Sequence, residues 1–216
     1  MDGPEHAKQV VARSYDAIAE RHAEWAATIR QEERARFATI LTAAFPPGAT
    51  LLELGCGTAG LTTQTLARHF RLTGVDISSR SIQLARQNLS SALFVAADMS
   101  AADFPNSSFD AVAAFYSIIH VPRDELAALF QRIFAWLRPG GLFVATMNGS
   151  DTAGSFEDDW LGAPMFWSGY DPPTTRRLVE AAGFQVDSLT LETADEDGEP
   201  TSFWWLVARR PSHQSR

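Results

Sequence analysis

Cysteine is almost missing from this chain: the single Cys56 in 216 residues cannot close an internal disulfide. Positive charge is also scarce, with 18 Lys plus Arg against 26 Asp plus Glu and a net charge of -8. No Lys/Arg run is long enough to track a phosphate backbone, so nucleic acid is not an expected partner. No apolar run reaches the roughly 20 residues that span a bilayer. The opening M-D-G-P-E-H-A-K lacks a basic segment leading into an apolar one. A cytoplasmic protein without a membrane partner is therefore expected. Repeats and low-complexity tracts are absent as well, and nothing in the sequence fixes an oligomeric state. With 45% apolar and 20% charged residues, the chain reads as one ordinary globular domain over 1–216.

Residues 5–44 show helical spacing until F-P-P-G at 45–48 breaks it. Strand-like and helix-like segments then alternate. An apolar run at 50–54 precedes a helix near 60–69, and a run at 71–75 precedes a helix near 79–89 entered through Ser78 or Ser79. L-F-V-A-A leads to Asp98 and F-D-A-V-A-A-F leads to Tyr116. A helix after Pro122 stops at Pro139-Gly140-Gly141, before a fifth run at 142–147. After residue 148 the pattern lapses for about 25 residues, which is long for a plain connection. A helix near 173–182 and two strands around D-E-D-G-E-P close the chain. The expected fold is α/β: a Rossmann-like, doubly wound, seven-stranded sheet, mostly parallel, with a C-terminal antiparallel hairpin. Within it we expect an N-terminal helical lid (1–45), a core that holds a ligand (46–147), a substrate-side insert (148–173) and a C-terminal helix and hairpin (174–210).

L-E-L-G-C-G-T-A-G at 52–60 places glycines in the G-x-G-x-x-G spacing, after a strand and before a helix. A dinucleotide would lay its anionic pyrophosphate on such a turn, and Asp76 lies where a ribose acceptor is expected. Glu53, two residues before the first glycine, would repel that pyrophosphate. The charge favours a ligand with cationic groups and an adenosine. S-adenosylmethionine meets that demand: it has no phosphate and carries a sulfonium and an ammonium. Asp76 would accept from its ribose. Asp98 ends the next strand at the same sheet edge, where it either accepts from the adenine amino group or forms an Asx-type turn into residues 99–108.

Taken in order, L-L-E-L-G-C-G-T-A-G, G-V-D-I-S at 74–78, A-A-D-M at 96–99 and L-R-P-G-G-L-F-V at 137–144 resemble the motifs of the class I S-adenosylmethionine-dependent methyltransferases, here of the small-molecule type. The resemblance runs from about residue 15 to about 210. It implies that Glu53 and the backbone of Gly55, Cys56 and Gly57 hold the methionine end. It further implies Asp76 on the ribose hydroxyls, Ile77 on the adenine face, Asp98 and the Met99 backbone on the adenine edge, and a carbonyl near Phe115 for the ammonium. S-Y-D-A-I-A-E-R-H resembles the family's Y-D-x-x-A-x-x-Y lid, with Tyr15 at the first tyrosine and His22 where the second is usual.

His120, in I-I-H-V-P just past the fourth strand, is the candidate catalytic residue. Its unperturbed pKa of about 6.5 suits a general base, and the alternative is a hydrogen bond to the start of the following helix. Trp160, Met165, Phe166 and Trp167 lie in the insert, where they are expected to wall an apolar or aromatic acceptor together with His22. No metal-ligand spacing occurs near this cleft, and none is expected. The expected activity is methyl transfer to oxygen, and next to nitrogen, of an apolar or aromatic small molecule. The rivals are a non-catalytic donor-binding partner subunit and an NAD-dependent oxidoreductase.

Overall fold

A computed structural model describes residues 3–212, so the outermost residues of the domain expected over 1–216 lie outside the described residues. Two helices open the chain, α1 (Pro4–Ala26) and α2 (Gln31–Ala44). The single helical lead expected over 5–44 is thus broken, and Arg30 turns the chain with a left-handed φ of 54°. The alternating core follows: β1 (Thr50–Leu54), α3 (Leu61–His69), β2 (Arg71–Asp76), α4 (Ser79–Asn88), β3 (Leu93–Ala96), β4 (Phe109–Ala114), α5 (Leu126–Trp136) and β5 (Leu137–Asn148). The fifth strand begins at the end of α5, five residues before the apolar run suggests, and it carries Pro139-Gly140-Gly141 within it. The insert, expected to be irregular, is a second antiparallel pair, β6 (Thr152–Trp160) and β7 (Ala163–Gly169). Helix α6 (Pro172–Ala181) and the long hairpin β8 (Gln185–Glu196) with β9 (Glu199–Arg209) complete the chain.

Seven strands form one sheet in the order β3-β2-β1-β4-β5-β9-β8. β1, β2, β3, β4 and β5 pair in parallel, and β9 joins β5 antiparallel. The chain reverses direction across the sheet between β1 and β4, so the crevice at their carboxyl ends is the place for a ligand. The two-residue period of β1 sets its two faces. Leu52 and Leu54 join the core under α5 and α6 with Phe130, Ile133 and Val179, while Leu51 joins the opposite core with Phe37, Leu41, Leu66 and Ile82. By the same alternation Glu53 falls on the side of α3. Edge strand β3 is partly open to solvent: Leu93 is 70% exposed.

A third apolar cluster holds the lid together. Ala7, Val11 and Ile18 lie on one face of α1 and pack on Ala163, Met165 and Phe166 of β7. Polar contacts add to this. Ser14 donates to the Pro164 carbonyl, and Arg21 Nη1 donates to the Leu161 carbonyl at 2.5 Å. Ser78 caps α4 by accepting from the Ser81 amide at 2.9 Å and donates to Asp16 of α1 at 2.7 Å. Ser78→Ala removes both a helix cap and a lid tether. It is expected to cost about 1 to 2 kcal/mol in urea unfolding, with an unchanged slope on denaturant. A cost below about 0.3 kcal/mol would show that the cap and tether are replaced by water.

Candidate active site

The loop between β1 and α3 fixes the floor of the crevice. Gly55 has φ +76°, and a Cβ there would meet the Ser117 Cβ at 2.2 Å, so only glycine allows β4's extension to pass this close. Ser117 in turn donates to the Leu54 carbonyl at 2.6 Å. The result is a cleft floored by the glycine loop and the ends of the parallel strands, and roofed by α1 and α2.

Glu53 lies on that floor. Its Oε1 accepts from the Thr63 hydroxyl at 3.0 Å, and its Oε2 is buried with no partner. Burial, opposed by Thr63 and Arg34, raises its pKa to about 8. Asp76 accepts from the Gly57 amide at 2.8 Å and the Ser78 amide at 2.9 Å, so the second strand's carboxylate also braces the first strand's loop. Burial pushes it up to about 6, against the pull of those two amides. Asp98 forms the Asx-type contact, accepting from the Ser100 amide at 2.8 Å, and its other oxygen meets Lys8 Nζ at 2.8 Å. Lys8 reaches Glu125 as well, at 2.6 Å, and so straps α1 across the end of the cleft. Gly55, Cys56, Gly57, Ile77, Met99 and Phe115 all line the same cleft.

His120 joins three elements. Its Nδ1 lies 2.8 Å from the Phe166 carbonyl oxygen, which can only accept, so Nδ1 carries the proton. The free Nε2 then accepts from the Tyr15 hydroxyl at 2.9 Å. These contacts replace the hydrogen bond to the following helix weighed from sequence. Burial lowers the His120 pKa to about 4, away from the neutral value taken from sequence, so the ring is an uncharged acceptor at neutral pH. Burial raises the Tyr15 pKa, which keeps its hydroxyl protonated. His22, 5.1 Å from Tyr15 between ring centroids, is also held near pKa 4, first by burial and then by Arg34 and His120.

Tyr15, His22 and His120 line the cleft. Trp160 and Trp167 do not line the cleft themselves but back the residues that do: Trp160 touches Tyr15 and His22 with centroids at 5.9 and 5.6 Å, and Trp167 touches His120 at 4.6 Å. Met165 and Phe166 belong elsewhere: they are 0% and 6% exposed within the core between α1 and β7, so they hold the lid and do not wall the cleft. Trp167, two residues on from Met165 and so on the same face of β7, packs at the edge of that core and reaches the His120 ring. Lys8, Arg34 and Tyr116 line the cleft without having been singled out from sequence. No local pattern marks them, because only the fold of α1 and α2 over the sheet brings them there.

An orphaned carboxyl oxygen beside the glycine loop and a second carboxyl one strand over suit the ammonium and the ribose of S-adenosylmethionine. Comparison with known proteins agrees. Residues 51–141 match the family model described as a methyltransferase domain. Trans-aconitate 2-methyltransferase of Paracidovorax citrulli is 39% identical over 123 residues, covering 54% of this chain and 46% of that protein. The 2-methyl-6-phytyl-1,4-hydroquinone methyltransferase of a Synechocystis strain is 33% identical over 180 residues, 77% of this chain and 52% of that protein. The chain thus spans about half the length of these curated relatives. A crystal structure of the 1,6-didemethyltoxoflavin-N1-methyltransferase of Burkholderia thailandensis superposes with a TM-score of 0.71 at 21% identity, covering 98% of this chain and 92% of that one, a likeness of fold. With the donor motifs, the strand order and the matched residues 51–141 in agreement, the chain carries a methyltransferase domain of the class I S-adenosylmethionine-dependent kind.

Proposed function

We propose that the protein transfers the methyl group of S-adenosylmethionine to an oxygen, and next in order to a nitrogen, of an apolar or aromatic small molecule. The observation that carries this reading is the Tyr15–His120 hydrogen bond at the cleft wall, an uncharged proton acceptor among rings. When bound, the donor supplies a methyl group already activated on a sulfonium. The chain's own residues then have three tasks. Glu53, Asp76 and Asp98, with the loop backbone, Ile77, Met99 and Phe115, hold the donor. The rings of Tyr15, His22, Trp160 and Trp167 exclude water and set the acceptor within about 3 Å of the methyl group. His120 takes a proton, directly or through Tyr15, whose oxygen accepts from the acceptor while its own proton passes to Nε2.

In this reading residues 1–45 form the lid, 46–147 hold the donor, 148–173 close the acceptor side and 174–210 complete the sheet. No helix among the described residues is long and apolar enough to cross a membrane, and the reading places the reaction in the cytoplasm without nucleic acid. A screen of phenols, alcohols and amines with labelled donor tests it. Transfer to apolar hydroxyls above amines is expected, whereas transfer to carbon only, or to RNA only, would overturn the acceptor class.

Donor binding should also depend on pH. Glu53, with a pKa near 8 in the free cleft, must ionise to meet the donor's ammonium. The free protein therefore holds a proton there that the complex releases, and affinity rises as pH climbs from about 6 toward 8. Calorimetry in buffers of different ionisation heat should detect that proton. Glu53→Gln should remove the pH dependence and weaken the donor more than an uncharged adenosine analogue. Equal weakening of both would make Glu53 structural.

A further inference from the structure

Several polar atoms in the cage of rings beside the cleft are already committed. Tyr15 donates to His120, and His120 Nδ1 faces the Phe166 carbonyl. The indole N–H groups of Trp25 and Trp167 donate to Asp197 and Glu157, each at 2.9 Å. His22 is different. Its ring makes no hydrogen bond among the described residues, and neither of its nitrogens is a buried atom sealed from solvent, so both are open and the ring lines the cleft. Burial above all holds its pKa at about 4, so at neutral pH it offers one N–H donor and one nitrogen acceptor. Rings fix its place: Tyr15 at 5.1 Å, Trp160 at 5.6 Å and Trp25 at 6.0 Å between centroids. A polar group held among apolar rings costs stability until a partner arrives.

Its position beside the proton route supplies the partner. Tyr15 and His22 are seven residues, about two turns, apart and share one face of α1. The rings of His22 and His120 stand edge-on to Tyr15 from 5.1 and 5.4 Å, at 79° and 80°. An acceptor whose reacting hydroxyl meets Tyr15 and His120 therefore lies alongside His22. We propose that His22 is a specificity-determining residue that hydrogen-bonds a second, non-reacting hydroxyl of the acceptor, so that the protein takes neutral aromatic diols in preference to simple phenols. The inference rests on the functional reading above, to which it adds the substrate class. A hydroxyl both donates and accepts, so it pairs with either imidazole nitrogen whichever tautomer His22 holds. An acceptor without that hydroxyl leaves the imidazole desolvated and unpaired, and is selected against for that reason.

Steady-state kinetics on phenol and on its dihydroxy relatives catechol, resorcinol and hydroquinone, in wild type, His22→Phe and His22→Asn, test the proposal. The readout is kcat/KM for a diol divided by that for phenol. Comparing this ratio between proteins cancels the intrinsic reactivity of each compound and any general loss of activity. Where turnover is too slow to measure, the same ratio is read from acceptor Kd on protein loaded with S-adenosylhomocysteine. For at least one diol the ratio should fall roughly 10- to 100-fold from wild type to His22→Phe, which keeps a flat ring and removes both nitrogens. His22→Asn restores a donor and an acceptor and should recover part of it, while S-adenosylmethionine affinity by calorimetry stays near wild type in both variants. A ratio that His22→Phe leaves unchanged for all three diols overturns the inference and leaves the functional reading standing. Donor affinity that falls in step with the ratio overturns it as well, by placing His22 on the donor. Wild type that neither methylates nor binds any of these compounds overturns the hydroxyl-acceptor reading and the inference with it.

Discussion

Turnover of the His120→Ala variant on an apolar hydroxyl acceptor is expected to fall by roughly 10²-fold or more, with S-adenosylmethionine affinity near wild type. The imidazole's Nε2 is the neutral nitrogen beyond the Tyr15 hydroxyl, within hydrogen-bond reach of it at 2.9 Å. Because its pKa lies near 4, the ring is ready to accept throughout the neutral range, and with the donor saturating the acid limb of turnover should fall near 4 and not near neutrality. An acceptor already deprotonated at the assay pH should be nearly indifferent to the substitution. Tyr15→Phe separates the two proton routes. If the proton passes through Tyr15, the phenylalanine variant falls as far as His120→Ala; if His120 acts directly, it keeps most of its turnover. A His120→Ala variant that loses activity only in step with thermal stability would make the histidine a latch between α1 and β7, since its Nδ1 bond to Phe166 ties them together.

Asp76→Ala is expected to weaken S-adenosylmethionine by roughly 10²- to 10³-fold, the loss of charged hydrogen bonds to two ribose hydroxyls. Part of that loss is indirect, because the carboxylate also receives the Gly57 and Ser78 amides and so holds the loop in shape. Asp76→Asn retains one acceptor oxygen and should lose less. A 2′,3′-dideoxy analogue of the donor, titrated in parallel, distinguishes the two contributions. If the analogue weakens as much as the donor on going from wild type to Asp76→Ala, the carboxylate is a loop strut and not a ribose ligand.

The parts of this site that were legible in the sequence are those carried by buried parallel strands. L-L-E-L and T-G-V-D read as strands because burial on both sides removes polar residues, and the carboxylates that end them stand out against that background. The β6–β7 pair was not legible. Its first strand is exposed through Phe156 to Asp159, so the acidic run F-E-D-D lacks the apolar alternation that marks a half-buried strand. The break between α1 and α2 leaves no mark either, since Arg30 takes its left-handed turn without glycine or proline. His120 stood out by its position, but its partner Tyr15 lies 105 residues away, and only the docking of α1 on β7 brings the two together. Arg34 was the least visible. An arginine on a helix is ordinarily solvated, and nothing in Q-E-E-R-A-R-F separates it from Arg36 until the Tyr116 ring and the cleft are in place.

The central claim, that the cleft is built for a phosphate-free cationic adenosine, is tested most directly by titrating wild-type protein with S-adenosylmethionine and, separately, with NAD. The account predicts saturable one-to-one binding of S-adenosylmethionine that releases a proton below pH 8 as Glu53 ionises, and no measurable heat from NAD. Saturable NAD binding with no S-adenosylmethionine binding would contradict it.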